Sequence, residues 1–118
     1  TFAVLLIDVD RFKRINDEHG HAVGDRVLTH IASVIEAEAR QADSVGRFGG
    51  EEFLIVAPQS DLAGALQAAE RLRARMEAEP IHARASDLRV TLSIGVAARR
   101  GEDANIEAVL ARADRVIR

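Results

Sequence analysis

The 118-residue sequence contains no cysteine. Disulfides and thiolate zinc centres are therefore excluded, which suits a cytoplasmic setting. Lysine is almost as scarce: of 16 basic residues only Lys13 is a lysine. Positive charge is not in excess either. The formal net charge of −3 argues against a nucleic-acid polymer as partner, because such a partner calls for a basic face. No apolar run approaches the roughly 20 residues that a membrane helix needs. The opening segment at Thr1 has no basic leader, so no signal peptide is expected there. Linkers, repeats and low-complexity stretches are missing too. What is present, 47% apolar and 30% charged residues, is the balance of a globular domain, and the length allows one, spanning 1–118.

The apolar pattern orders the elements. Residues 2–7 form a continuous apolar run of strand length that stops at Asp8, Val9 and Asp10. A short helix is expected over 12–18, closed by Gly20. Val27, Leu28, Ile31, Val34 and Ile35 keep helical spacing and extend a second helix to about Arg40. Residues 44–48 and 53–57 read as two strands around Gly49, Gly50, Glu51 and Glu52, a hairpin signature. Leu62, Leu66, Ala69, Leu72 and Met76 mark a third helix that Pro80 stops. Residues 89–97 alternate as a strand with Val90, Leu92, Ile94 and Val96 on one face. Asn105 then caps a last helix with Ile106, Val109, Leu110, Ala113 and Ile117 turned inward. The order β-α-α-β-β-α-β-α predicts an α+β, ferredoxin-like or palm-like fold, a mostly antiparallel sheet carrying packed helices.

Three groups of residues stand out chemically. Asp8 ends an apolar strand, and Glu51 and Glu52 sit at a glycine hairpin; if the strands are neighbours, Asp8 and Glu51 converge. Carboxylates without histidine or cysteine suit a hard cation such as Mg²⁺, which shares its shell with phosphates. Each cluster alone equally suits a strand end or a solvated turn. Gly49 and Gly50 permit positive φ and close approach of a ligand, and a hairpin turn alone also accounts for them. Residues 10–13 form a strand-to-helix turn whose free amides can cradle phosphate, with Lys13 as a point charge.

Taken in order, these strings resemble the GGDEF domains of diguanylate cyclases: Asp8, Val9, Asp10, Arg11, Phe12, Lys13, Arg14, Ile15, Asn16 and Asp17; then Gly20-His21 and Gly24-Asp25; then Arg47, Phe48, Gly49, Gly50, Glu51, Glu52 and Phe53. Ser93-Ile94-Gly95-Val96 and Ala111-Arg112-Ala113-Asp114 match later strings, so the resemblance covers essentially the whole chain. It implies condensation of two GTP into cyclic di-GMP with release of pyrophosphate, on Mg²⁺ or Mn²⁺. Asp8, Glu51 and the Val9 carbonyl would hold the metal. Asn16 and Asp25 would recognise guanine, whose N1–H and N2–H₂ edge adenine lacks. Lys13 with the amides of Arg11 and Phe12 would hold the phosphates, and Gly50 would let them approach. Glu51 would take the 3′-hydroxyl proton, and Glu52 would stand beside the metal.

The resemblance also implies a product site. Arg40 and Asp43 form an Arg-x-x-Asp pair with five residues between Asp43 and Gly49, and Arg71 on the next helix joins them. Cyclic di-GMP would bind there as inhibitor, since arginine can donate twice to guanine O6 and N7. A helix end at Arg40 and a capped turn at Asp43 would produce the same spacing. One such domain binds one GTP, so catalysis implies a second GGDEF domain facing it, and a regulatory sensor domain is expected elsewhere in the parent protein. The family's N-terminal helix, its Lys-x-x-x-Arg phosphate contacts and its last strand are not found in the sequence, which reads as part of a longer protein, cytoplasmic here whether or not the parent is membrane-anchored. The competing reading is a catalytically idle GGDEF domain that binds GTP or cyclic di-GMP and signals by contact; another palm-like nucleotidyl transferase is a third. Intact Asp8, Asn16, Asp25 and Glu51 favour the enzyme.

Overall fold

The computed structural model describes residues 2–83, 86–101, 103, 105–113 and 116–117. Strand β1 (Phe2–Val9) forms because its apolar run can be buried from both sides, and it becomes the central strand. It is flanked by β3 (Glu52–Pro58) and β6 (Leu92–Ala98), with β2 (Ser44–Arg47) outside β3 and β7 (Val116–Ile117) outside β6. Every pairing in this sheet is antiparallel. The period of two then sorts the side chains. Ala3, Leu5, Ile7, Phe53, Ile55, Leu92, Ile94 and Val96 pack on one face with helices α2 (His21–Glu38) and α3 (Leu62–Ala78). Val4 and Ala97 pack on the other with α4 (Ile106–Arg112). The α+β, mostly antiparallel architecture expected from the sequence is the one observed.

Helix α1 (Phe12–His19) buries no residue completely. It starts after Arg11, held at φ 57°, and ends at Gly20, at φ 88°, where glycine avoids the strain of a left-handed backbone. Asp61 caps α3 by accepting from the Gly64 amide at 2.8 Å, and Asn105 caps α4 by accepting from Ala108 at 3.0 Å.

Four expectations need correction. The alternation over 89–97 becomes strand only from Leu92, and a separate hairpin of β4 (Ile81–Ala83) and β5 (Ser86–Leu88) precedes it. Strands of three residues are too short to show a period. Leu62 and Leu66 are 45% and 38% exposed; Ala69, Leu72 and Met76 of the marked positions do meet the sheet, and Ala65 stands on that face in place of Leu66. Ile106, at the first turn of α4, is likewise exposed. Helix α4 ends at Arg112, so Ile117 lies in β7 opposite Ile94 and not on the helix. Asp114 lies outside the described residues.

Candidate active site

Asp8 and Asp10 arrive at the end of the central strand, where alternation gives way to the turn into α1. Register places Asp8 opposite Glu52 on one side and Ser93 on the other. Glu51 is held from its backbone: its carbonyl accepts from the Val9 amide at 3.2 Å. The sequence paired Asp8 with Glu51, and the register shows Glu52 directly across from Asp8, with Glu51 within reach of both charges. Loss of hydration raises the Asp8 carboxyl above its ordinary value, with the Asp10 charge adding to it and the Val9 amide opposing. Glu51 is raised as well, by partial burial first and then by the charges of Asp8 and Glu52.

Asp10 has a different environment. Its carboxylate accepts from Thr91 Oγ1 at 2.7 Å and Ser93 Oγ at 2.5 Å, and its amide donates to the Thr91 carbonyl. Ser93 and Asp10 carried the family resemblance without a role; the structure joins them. Asp8, Asp10, Arg11, Glu52, Thr91 and Ser93 line an open cavity of about 820 Å³. Among the described residues no three His, Asp or Glu side chains close around a point that could hold a cation by themselves. What does gather is a pair of oxygen donors, Asp8 and Glu51, each with its pKa raised first by loss of hydration and then by the neighbouring carboxylates. Such a pair fits a hard cation that completes its shell with phosphate oxygens and water.

Of the other expected phosphate- and base-binding residues Arg11 lines this cavity, while Lys13, Phe12, Asn16 and Asp25 do not. Asn16 on α1 lies over Gly24 of α2 so closely that a Cβ there would fall 1.8 Å from Asn16 Oδ1. That Oδ1 is buried without a hydrogen-bond partner. Gly24 is therefore what lets α1 cross α2 and sets Asn16 beside the next residue, the exposed Asp25. Lys13 and Arg11 are exposed at the start of α1, and Phe12 is half-buried against the core.

Neither Gly49 nor Gly50 uses the positive φ that glycine permits. A Cβ on Gly49 would instead meet Glu52 Oε1 at 2.7 Å, while Gly50 faces open space that a ligand can enter. Arg47, the register partner of Phe53, stands in the signature string, where the resemblance implies no role for it. Its guanidinium lies 5.4 Å from the Phe53 ring centroid and donates to the carbonyls of Gly50 at 2.5 Å and Gly49 at 3.5 Å. An arginine cross-strand from an aromatic is the only trace of this in the sequence.

The spacing at Arg40 does mark a real convergence. Arg40 donates to Asp43 Oδ1 at 3.1 Å, the Pro58 carbonyl at 3.1 Å and Ser60 Oγ at 3.2 Å. Arg40, Asp43 and Arg71 line one cavity of about 220 Å³ at the opposite end of the sheet strands from Asp8.

With this geometry in hand, the family model described as "Diguanylate cyclase, GGDEF domain" matches residues 1–118. The chain belongs to the GGDEF family. This GGDEF domain is 46% identical over 112 residues to diguanylate cyclase DgcP of Pseudomonas aeruginosa, covering 95% of this chain and 16% of that protein. It is similar to the active GGEEF domain of a diguanylate cyclase from Vibrio cholerae, at a TM-score of 0.89 and 32% identity over 97% of this chain and 72% of that one. It also resembles the GGDEF domain of DgcB from Caulobacter crescentus, solved with c-di-GMP, at a TM-score of 0.89 and 32% identity, covering 96% of this chain and 67% of that one. The chain spans 16% to 32% of the length of the first curated relatives it matches. Among the described residues no helix is long and apolar enough to cross a membrane.

Proposed function

We propose that this GGDEF domain is the catalytic unit of a diguanylate cyclase, joining two GTP into cyclic di-GMP and releasing two pyrophosphates. The observation that carries this reading is the corner where Asp8 and Glu51, repelling one another, meet beside an open glycine turn. Asp8, Glu51 and the Val9 carbonyl would hold Mg²⁺ or Mn²⁺. A cation bound there supplies charge against the phosphate oxygens and lowers the pKa of a hydroxyl.

The chain's own groups do the rest. Asp25 accepts from the N1–H and N2–H₂ of guanine, with Asn16 beside it, and so selects GTP over ATP. Lys13 and the amides of Arg11 and Phe12 hold the phosphates at the start of α1. Glu51 takes the proton of the 3′-hydroxyl as its oxygen bonds to the α-phosphorus of the second GTP. The bond from that phosphorus to the bridging oxygen breaks, and pyrophosphate leaves with the electron pair. Two such events close the ring, so a second domain must present the second nucleotide. Glu52, opposite Asp8, adds negative charge beside the cation. Arg40, Asp43 and Arg71 form the site where the product binds and inhibits.

The test is to incubate the full-length protein with GTP and Mg²⁺ and identify the product by mass spectrometry. Cyclic di-GMP is expected from the parent, and about 10²-fold less or lower still from Glu51→Gln, the scale of losing a charge-stabilising or acid–base group. A folded parent that binds GTP and forms no cyclic dinucleotide would overturn the reading.

A further inference from the structure

The turn that carries Glu51 is tied to the central strand at its last residue, where the Glu51 carbonyl accepts from Val9, and has little else of its own to hold it still. Phe48 and Gly49 donate to the Glu52 carbonyl at 2.8 and 3.4 Å, Gly50 faces open space, and Phe48 is 52% exposed. Two successive glycines leave the backbone free to sample many conformations. Any wandering of the turn moves the Glu51 carboxylate relative to Asp8, which is fixed on the central strand.

Arg47 opposes that motion. It ends β2 just before the turn, and Phe53, its partner across the ladder, is 2% exposed and therefore an immobile platform. The flat guanidinium lies over that ring and reaches the carbonyls of both glycines from there. The Gly50 carbonyl belongs to the same planar peptide unit as the Glu51 amide, so tying down its oxygen fixes the plane from which Glu51 projects. Lysine could not replace it, having neither the planar fork nor the stacking face.

We propose that Arg47 is a positioning residue for the metal site: braced on Phe53, it locks the Gly49–Gly50 turn so that the Glu51 carboxylate stays within reach of Asp8. Cation affinity then depends on a side chain that touches neither cation nor nucleotide. The inference rests on the roles proposed above for Glu51 and Asp8.

The test compares the full-length protein with Arg47→Ala, Arg47→Lys and Phe53→Leu. Free Mn²⁺ is followed by electron paramagnetic resonance in titrations with an α,β-methylene analogue of GTP, and turnover of GTP is followed against Mg²⁺ concentration. Arg47→Ala is expected to raise the half-saturating concentration about tenfold or more in both, the usual size of an outer-shell loss at a metal site. Its turnover at saturating Mg²⁺ should fall by less. Arg47→Lys should recover little, and Phe53→Leu should shift in the same direction as Arg47→Ala. Parental Mn²⁺ affinity in Arg47→Ala would overturn the proposal. So would a lowered melting temperature with unchanged metal dependence, since Arg47 would then serve only the fold. If the parent makes no cyclic di-GMP and Arg47→Ala still weakens Mn²⁺ binding, the positioning role stands and the cyclase reading falls. Absence of Mn²⁺ binding by the parent would remove the positioning role as well.

Discussion

Asp8, Asp10 and Glu51 are three like charges in one corner, and only Asp10 has hydroxyl partners to offset its own. The folded protein therefore strains against ionising the other two. A carboxyl whose folded pKa is raised contributes stability that is fully present below its unfolded value and is lost as pH rises through the folded value. Near neutral pH, without metal, Asp8 and Glu51 both stand on the unfavourable side of that change. Asp8→Asn removes one of the charges while keeping the shape. In EDTA at pH 7 this variant is expected to melt a few degrees above the parent while losing cyclase activity. The gap in melting temperature should close as the pH falls towards about 4, where an ordinary carboxylate is itself protonated. A variant that melts below the parent at pH 7 would show that the Asp8 charge supports the fold.

Between elements, the residue that closes α4, Ala113, comes very near the sheet. A Cβ on Gly95 of β6 would fall 1.4 Å from the Ala113 carbonyl oxygen, backbone that cannot turn aside. The Arg112 guanidinium bonds the Ala98 carbonyl at 2.8 Å and pairs with the buried Asp103 carboxylate, fixing the helix along the same strand. Gly95→Ala should therefore push α4 off the sheet and cost about 1–3 kcal/mol, read as a lower urea midpoint. An unchanged midpoint would mean that the helix end shifts freely. The same seam shows what could be read from residues alone. Gly95 and Ser93 were visible as a matching string, but the string does not say that one admits a carbonyl and the other binds Asp10, because both facts depend on which strand lies alongside. Long elements were legible: the unbroken apolar run of β1 has the length of a strand, and the helical spacing of α2 carries its own period. The β4–β5 hairpin was not, with three residues a side. The exposed Leu62, Leu66 and Ile106 were misassigned because apolar spacing locates a stripe without showing which side of it touches the sheet. At the site, the residue types and the Arg40 spacing were legible, whereas the opposition of Asp8 to Glu52 and the bonds of Arg47 arise from register.

For the molecule as a whole, the two cavities lie at opposite ends of the same central strands, one reached through Asp8 and Glu52 and the other through Leu5 and Ala57. Arg40→Ala removes a charged fork from the second without touching the first. It is expected to weaken cyclic di-GMP binding by about 1–3 kcal/mol and to leave the initial rate nearly unchanged, so that the progress curve stays linear longer. Equal product affinity in both proteins would reduce Arg40 to a clasp for Asp43, Pro58 and Ser60. The placement of β1 has a further consequence, which concerns time. It is bonded on both sides, to β3 over Phe2–Asp8 and to β6 over Ala3–Val9, so its amides can meet solvent only when the whole sheet comes apart. The glycine turn lies beyond that ladder, tied to β1 by the one bond between the Val9 amide and the Glu51 carbonyl, and can open without the ladder coming apart. One carboxylate of the corner thus shares the lifetime of the native state, and the other is re-placed each time a four-residue turn opens and closes.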